Sequence, residues 1–175
     1  MKGIVLAGGL GTRLSPLTKV VSKQMLPVYD KPLVYYPIST LMLANMREIL
    51  VIAAPNQIER FKELLGDGQD FGLSIAYKVQ EKPAGIAESL ILAEDFLNGS
   101  KSALILGDNL FHGSGLGRRL EAFNKVVGAQ IFGYHVQDPS PYGVATVNSE
   151  NKVTALVEKP RNSESKIAIP GLYFF

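Results

Sequence analysis

The chain has 175 residues, of which 46% are hydrophobic and 19% charged, a composition typical of one compact soluble domain rather than a disordered segment. Its 18 Lys and Arg side chains nearly balance its 16 Asp and Glu side chains, which disfavours a dedicated nucleic-acid-binding protein. The chain has no cysteine, which excludes disulfides, thiolate zinc sites, iron–sulfur clusters and cysteine nucleophiles.

Short apolar runs alternate with segments of helical spacing in the first two thirds of the chain. Residues 4–7, 49–53 and 103–106 are apolar at successive positions, as in strands buried on both faces of a sheet. Because strands and helices alternate, the pattern predicts a parallel sheet covered by helices. Four helices are predicted. The first starts near Pro37 and carries Ile38, Leu41, Met42 and Met46 on one side, and the second covers residues 57–65. The third carries Ile86, Leu90, Ala93 and Leu97, and the fourth covers residues 116–126.

The last third of the chain is dominated by strand patterns. Residues 129–136, 143–147 and 153–158 are predicted strands joined by short turns. Residues 171–175 (GLYFF) look like the beginning of another strand, and an apolar strand needs partners for its backbone and side chains. We therefore expect residues 1–175 to form a single domain that is incomplete at its C-terminal end.

The first predicted strand runs directly into a glycine-rich loop, residues 8–14 (GGLGTRL). Three glycines in four positions let backbone amides approach a bulky anion, and the Arg13 guanidinium can hold a phosphate through two hydrogen bonds. The alternative is an ordinary tight turn after a strand. The spacing excludes a Walker A loop, and it lacks the third glycine of the dinucleotide fingerprint, so a nicotinamide-dependent oxidoreductase is disfavoured.

Several motifs resemble those of sugar-1-phosphate nucleotidylyltransferases. The resemblance begins with residues 8–14, 16–19 (PLTK) and 22–27 (SKQMLP). The motifs most similar to the glucose-1-phosphate thymidylyltransferase branch are residues 28–37 (VYDKPLVYYP), 65–68 (LGDG), 107–111 (GDNLF), 142–144 (YGV), 158–160 (EKP) and 171–174 (GLYF). They occur in the family's order and span the whole chain.

The resemblance implies a fold, a reaction and partners. The fold is a three-layer α/β/α nucleotidyltransferase fold, Rossmann-like, with a mostly parallel mixed sheet. The implied reaction is Mg²⁺-dependent transfer of dTMP from dTTP to glucose 1-phosphate, for deoxysugar (dTDP-rhamnose) and surface polysaccharide synthesis. The family also implies a homotetramer. Two alternatives stay open, a nucleotide-binding module without catalysis and a relative that uses UTP.

The resemblance also assigns roles to individual residues. Arg13, Lys23 and Asp108 would be catalytic, and Asp108 would also be the Mg²⁺ ligand. The implied nucleotide-binding residues are Gly8, Gly11, Thr12, Arg13, Lys23, Gln24, Gln80, Gly85 and Asp108. The implied sugar-phosphate-binding residues are Asn109, Gly143, Glu158, Lys159 and Ile169. From the residues alone, a lone Lys23 on a loop fits a solvated surface charge better than a binding role, and only its place in the SKQMLP motif favours binding. Asp108 alone equally fits a turn or helix cap, and the Glu158–Lys159 pair also fits an ordinary surface pair.

One motif departs from the family pattern at the nucleotide side. Residues 83–88 read PAGIAE, whereas the family usually has PDGLAQ. Ala84 removes a carboxylate, and Glu88 replaces an amide with a charge near the implied nucleotide pocket. The selectivity for dTTP over UTP therefore stays open.

Other features of the sequence indicate location and exclude further chemistries. No run of about 18 apolar residues is present to span a membrane, and residues 4–7 are too short for the core of a secretory signal. We therefore expect a cytoplasmic protein that does not bind membranes. The balanced charge disfavours a nucleic-acid partner, and the resemblance implies the small-molecule substrates dTTP and glucose 1-phosphate. His112 and His135 are isolated, so they are predicted to be structural or solvated rather than metal ligands.

Overall fold

The computed structural model describes residues 1–9, 11–82 and 84–175. Leu10 and Pro83, which belong to the motifs at residues 8–14 and 83–88, lie outside the described residues. The strands of the described part are β1 (Lys2–Leu6), β2 (Pro27–Val28), β3 (Lys31–Pro32), β4 (Glu48–Ala53), β5 (Ser74–Val79), β6 (Ser102–Leu106), β7 (Gln130–Ile131), β8 (Tyr134–His135), β9 (Gly143–Val147), β10 (Val153–Glu158), β11 (Ile167–Ala168) and β12 (Leu172–Phe174). Its α-helices are α1 (Tyr35–Leu43), α2 (Ile58–Leu65), α3 (Ile86–Leu92), α4 (Glu94–Leu97) and α5 (Leu116–Ala122).

A six-stranded mixed sheet, in the order β5-β4-β1-β6-β12-β7, forms the centre of the fold. Strand β1 pairs in parallel with β4 and β6, and β4 pairs in parallel with β5. Strand β12 runs antiparallel to both β6 and β7. The prediction of a mostly parallel mixed sheet is confirmed. A second sheet has the order β10-β9-β11-β8, and β2 pairs with β3 in a short hairpin.

Helices cover both faces of the central sheet. Successive side chains of a strand point to opposite faces, so a strand buried on both sides is apolar throughout. Val5 of β1 packs into a cluster with apolar residues of α1, α2 and α5, whereas its neighbour Ile4 packs with residues of α3 and α4. The prediction of three layers is therefore confirmed.

The predicted strand over residues 129–136 is wrong as a single strand. Its residues form β7 in the central sheet and β8 in the second sheet, so the chain changes sheet between Ile131 and Tyr134. At Gly133 the Ile167 side chain occupies the space that a Cβ atom would need. The glycine therefore lets the chain cross closely over β11 as it changes sheet.

Three helix predictions also need correction. The helix predicted over residues 116–126 ends at Ala122 as α5, and a separate 3₁₀ turn follows over Phe123–Lys125. Helix α1 ends at Leu43, and Met46 lies beyond it, buried in the core after Asn45 adopts the left-handed conformation with φ 61°. The segment carrying Ile86 to Leu97 is divided into α3 and α4, with Ala93 between them. Within the described residues, no helix is both long and apolar enough to cross a membrane.

Strand β12 confirms the predicted final strand. Leu172 and Phe174 are fully buried, and the Phe174 ring lies 5.1 Å from that of Phe123, centroid to centroid. Alternation turns the intervening Tyr173 to the opposite face of the sheet, where it packs in the cluster of α3 and α4. The strand thus joins the core directly beside β6, the strand that leads into Asp108.

Candidate active site

The glycine-rich loop and Asp108 meet at one edge of the central sheet. Strands β1 and β6 are parallel neighbours in which Leu6 pairs with Leu106, so the loops that follow them emerge side by side. The backbone N–H of Gly107 donates to the carbonyl of Leu6 at 2.8 Å. In open α/β folds, ligands bind at this carboxyl edge of the strands.

The loop after β1 is shaped by Gly11. Its φ is +59°, and a Cβ atom there would lie 2.9 Å from Cγ2 of Thr18. The Thr18 hydroxyl donates to the Gly11 carbonyl at 2.9 Å, and a 3₁₀ turn over Thr12–Leu14 follows. These contacts favour glycine at position 11 and hold the loop around a small open space, here called the loop pocket. The pocket has a volume of about 200 Å³ and is lined by Gly9, Gly11, Thr12, Arg13, Leu14, Lys23, Gln24 and Asp108.

An ion pair lies in the loop pocket. Nζ of Lys23 is 2.7 Å from Oδ2 of Asp108, although the two residues are 85 positions apart in the sequence. Both side chains keep about a third of their surface exposed, 34% for Lys23 and 30% for Asp108. With Arg13, the described lining has two cations and one carboxylate, a net charge of +1. The pocket therefore suits a polyanion.

Two glutamines lie close to the glycine-rich loop, and both are buried. Gln24 lines the loop pocket, and its Oε1 accepts a hydrogen bond from the Ser22 hydroxyl at 2.9 Å. The Gln80 side chain lies against Gly8, where a Cβ atom would be only 2.5 Å from Gln80 Oε1. Gln80 Nε2 donates to the carboxylate of Glu88. The Gln80 side chain therefore leaves no room for a Cβ atom at position 8.

We expect Gly8→Ala to lower the free energy of unfolding by about 1–3 kcal/mol, because the new methyl group would overlap the buried Gln80 side chain. Gly9→Ala is the matched control, since nothing lies within 4 Å of a Cβ atom at Gly9. Urea unfolding of both variants measures the difference. Equal stabilities for the two variants would show that Gln80 does not restrict position 8.

A larger cleft adjoins the loop pocket. It has a volume of about 850 Å³ and lies between the edge of the central sheet and the second sheet. All five residues that the sequence placed on the sugar side line this cleft: Asn109, Gly143, Glu158, Lys159 and Ile169. Asp108 lines both the cleft and the loop pocket. The two spaces therefore meet at this carboxylate.

The sheet register and a few close contacts hold the sugar-side residues together. Glu158 pairs with Gly143 across β10 and β9, and a Cβ atom on Gly143 would lie 3.1 Å from Glu158 Oε2. The Ile169 N–H donates to the Gly143 carbonyl at 2.9 Å. Nζ of Lys159 lies 2.8 Å from Oε1 of Glu158 on the rim, where both side chains are mostly exposed. Asn109 donates its side-chain amide to the carbonyl of Pro170.

Some predicted site residues are not brought into these spaces. Within the described part of the chain, Gly8, Gln80 and Gly85 line neither the loop pocket nor the cleft. Gly85 precedes α3 with φ +101°, a conformation that favours glycine. Its neighbour Ile86 does line the cleft.

Aromatic residues of the cleft were missed by sequence reasoning. Burial and the nearby charge of Glu158 raise the pKa of Tyr173. Tyr134 and Tyr142 meet edge to face with ring centroids 6.2 Å apart, and burial together with the neighbouring Tyr142 hydroxyl raises the pKa of Tyr134. The alternation of side chains along β12 could have predicted that Tyr173 lies on the other face of the sheet from the buried Leu172 and Phe174. No local pattern marks the pairing of Tyr134 with Tyr142.

Comparison with known proteins gives the family. The protein-family model described as "Nucleotidyl transferase" matches residues 2–175 of the sequence. The chain belongs to the nucleotidyl transferase family. It is 52% identical over 175 residues to the glucose-1-phosphate thymidylyltransferase of Mycolicibacterium smegmatis, and 50% identical over 176 residues to that of Neisseria meningitidis serogroup A. Each alignment includes 100% of this chain and 61% of the relative, so the chain spans about three fifths of their length.

Two solved structures share the fold of this chain. A Bacillus anthracis protein assigned to the glucose-1-phosphate thymidylyltransferases, crystallised with sucrose, is 38% identical, with a TM-score of 0.91 over 100% of this chain and 71% of its own. A UDP-glucose pyrophosphorylase bound to UDP-glucose is 25% identical, with a TM-score of 0.83 over 99% of this chain and 75% of its own. Both neighbours therefore share the α/β arrangement described above.

Proposed function

We propose that this chain carries the nucleotidyl-transfer site of a glucose-1-phosphate thymidylyltransferase. The observation that carries the proposal is the position of Asp108, which borders both the cationic loop pocket and the larger cleft. A triphosphate in the first space and a sugar phosphate in the second would meet at that residue. The similarity to glucose-1-phosphate thymidylyltransferases along the whole chain supports the same function.

In the proposed reaction, a phosphate oxygen of glucose 1-phosphate attacks the α-phosphorus of dTTP. The new P–O bond forms as the bond from the α-phosphorus to the β-bridging oxygen breaks. That oxygen keeps the electron pair and leaves as part of pyrophosphate, and dTDP-glucose is the other product. Such reactions depend mainly on positioning and on charge stabilisation, which a rigid cationic pocket supplies.

The cations of the loop pocket carry the main electrostatic role. We assign Arg13 to the departing pyrophosphate, because a guanidinium can bind phosphate oxygens through two hydrogen bonds. We assign Lys23 to the reacting phosphates beside Asp108. Gly8, Gly11 and Thr12 shape the loop that would hold the triphosphate. When the triphosphate is bound, Lys23 would exchange part of its contact with Asp108 for phosphate oxygens.

Asp108 is the proposed Mg²⁺ ligand. The described residues contain no group of three or more His, Cys, Asp or Glu side chains that could hold a metal ion on their own. This fits Mg²⁺, which commonly takes one or two carboxylates and completes its coordination with substrate phosphates and water. Mg²⁺ bound there would neutralise charge on the phosphate oxygens. Asp108 would hold it at the junction of the two spaces.

Base and sugar contacts complete the proposal. Gln24 and Gln80 would recognise the pyrimidine through their amides, with Gly85 allowing close approach of the backbone. On the sugar side, Glu158 would accept hydrogen bonds from hydroxyl groups and Lys159 would meet the sugar phosphate. Asn109, Gly143 and Ile169 would form the wall of the cleft. We further propose a cytoplasmic homotetramer that serves dTDP-rhamnose and surface polysaccharide synthesis.

Product formation tests the proposal. The purified chain is mixed with dTTP, glucose 1-phosphate and MgCl₂, and dTDP-glucose and pyrophosphate are quantified by chromatography and a coupled assay. We expect equal amounts of both products, with UTP in a parallel reaction reporting the selectivity. A folded protein that releases no pyrophosphate above the no-enzyme control would contradict the proposal. Calorimetric binding of dTTP without turnover would instead favour the nucleotide-binding module.

A further inference from the structure

We propose that Thr18 is a positioning residue that fixes the orientation of the Gly11–Thr12 peptide and thereby keeps a carbonyl oxygen from facing the triphosphate. The inference rests on the proposed function, in which the loop pocket receives the phosphates of dTTP. Thr18 is not among the described residues that line the loop pocket or the cleft. It would therefore act on a ligand only through Gly11.

Thr18 differs from its neighbours in burial and in contacts. Residues 12–17, 19 and 20 are exposed, whereas Thr18 is half-buried. Its Oγ1 donates to the Gly11 carbonyl at 2.9 Å, and the Leu14 N–H donates to the same oxygen at 2.9 Å. A carbonyl oxygen has two lone pairs, so both are used. The Gly11 carbonyl is thus held from two sides.

These two hydrogen bonds determine which way the peptide between Gly11 and Thr12 faces. In a trans peptide unit such as this one, the C=O and N–H groups point in opposite directions. The carbonyl points at Thr18, which is outside the described lining of the loop pocket, whereas Gly11 and Thr12 are part of that lining. The Thr12 N–H is therefore left on the side from which a phosphate oxygen can accept it.

Glycine at position 11 makes such a restraint necessary. Glycine adopts positive and negative φ values about equally well, so the peptide that follows it can turn over more readily than most. A peptide that turned over would direct its oxygen at the phosphates and remove one N–H donor from the pocket. The partial negative charge of that oxygen would then oppose the polyanion that Arg13 and Lys23 attract. The Thr18 hydroxyl prevents this rotation.

The turn that carries Thr18 is held by hydrogen bonds rather than by apolar burial. Leu17 and Val20, which flank it, keep 60% and 67% of their surface exposed. The guanidinium of Arg60, a residue of α2, donates to the Val20 carbonyl. Thr18 is therefore supported from α2, and it restrains the loop from outside the pocket.

The variant Thr18→Val tests the proposal, because it keeps the shape of the side chain and removes the hydroxyl. Thr40→Val is the matched control, since the Thr40 hydroxyl donates to the Tyr36 carbonyl at 3.0 Å within α1, and Thr40 is not among the described lining residues of either space. Calorimetry gives dissociation constants for dTTP and for inorganic tripolyphosphate, which has neither base nor sugar. We expect both ligands to bind about tenfold more weakly to Thr18→Val, the scale of one lost hydrogen bond, and unchanged to Thr40→Val.

The variant Thr18→Ser separates this role from a loss of packing. Serine keeps the hydroxyl and loses the methyl group that lies against Gly11, so this variant should bind both ligands nearly as tightly as the unaltered protein. Urea unfolding of all three variants shows that each is folded. Tripolyphosphate bound by Thr18→Val as tightly as by the unaltered protein would overturn the proposal, and so would equal losses in the valine and serine variants.

A further measurement reports the peptide without any ligand. In ¹⁵N spectra, the Thr12 amide resonance should shift markedly in Thr18→Val but not in Thr40→Val. A Thr12 resonance that is unaltered in Thr18→Val would also overturn the proposal. If the unaltered protein binds neither dTTP nor tripolyphosphate, the proposed function fails, and the role of Thr18 in binding fails with it. Binding that Thr18→Val does not weaken contradicts the role of Thr18 alone.

Discussion

Lys23→Met should lower the rate of pyrophosphate release by about 10²–10³-fold, the usual effect of removing one group that stabilises developing negative charge. The variant keeps a side chain of similar length but removes the cation that lies 2.7 Å from Asp108 in the loop pocket. The free energy of unfolding should change by no more than about 1 kcal/mol, because partly exposed ion pairs contribute little to stability. We therefore expect Lys23→Met to lose most of its activity while its stability stays nearly unchanged.

Lys62→Met is the control for this prediction. Lys62 forms an ion pair of the same length, 2.7 Å, with Glu59 on the exposed face of α2. It is not among the described lining residues of the loop pocket or the cleft. Initial rates at saturating dTTP and glucose 1-phosphate compare the two variants. A loss of less than threefold in Lys23→Met would remove Lys23 from the catalytic machinery.

Asp108→Asn should reduce turnover on the order of 10³-fold, because stabilisation of phosphate charge by a bound metal ion is worth several kcal/mol. The change preserves shape but removes the carboxylate at the junction of the two spaces. A metal-binding readout accompanies the rate. Mn²⁺ titrated into the protein–dTTP complex and followed by its paramagnetic resonance should bind at least tenfold more weakly than in the unaltered protein.

The matched control is Asp30→Asn. Asp30 also pairs with a lysine at 2.7 Å, Lys31, but it lies on the exposed β2–β3 hairpin. This variant should keep both its turnover and its Mn²⁺ affinity. If Asp108→Asn retains full Mn²⁺ affinity, the metal-ligand role of Asp108 is wrong, whatever the rate.

Much of the central sheet could be predicted because its signals are local. Residues 4–7, 49–53 and 103–106 are apolar at successive positions, as strands covered on both faces require, and all of them except Ala7 lie in the parallel strands β1, β4 and β6. The sheet change within residues 129–136 could not be predicted in this way. It depends on the packing of Ile167 against Gly133, a contact between segments far apart in the sequence.

The candidate site was predictable in its residue types but not in its contacts. The glycine-rich loop is a local motif, and its meeting with Asp108 follows from the pairing of β1 with β6. The pairing of Lys23 with Asp108 across 85 residues has no signature in the spacing. The contact between Glu88 and Gln80 spans only eight residues, yet it depends on how α3 begins after β5. Residue spacing alone does not contain that geometry.

A crystal structure with dTTP and MgCl₂ tests the central claim most directly. We expect the triphosphate to lie over Gly11 and Thr12, with its α-phosphate within reach of both Lys23 and Asp108 and facing the cleft. A triphosphate bound elsewhere on the protein would contradict it, and so would a loop pocket closed by its own side chains while dTTP is present in excess.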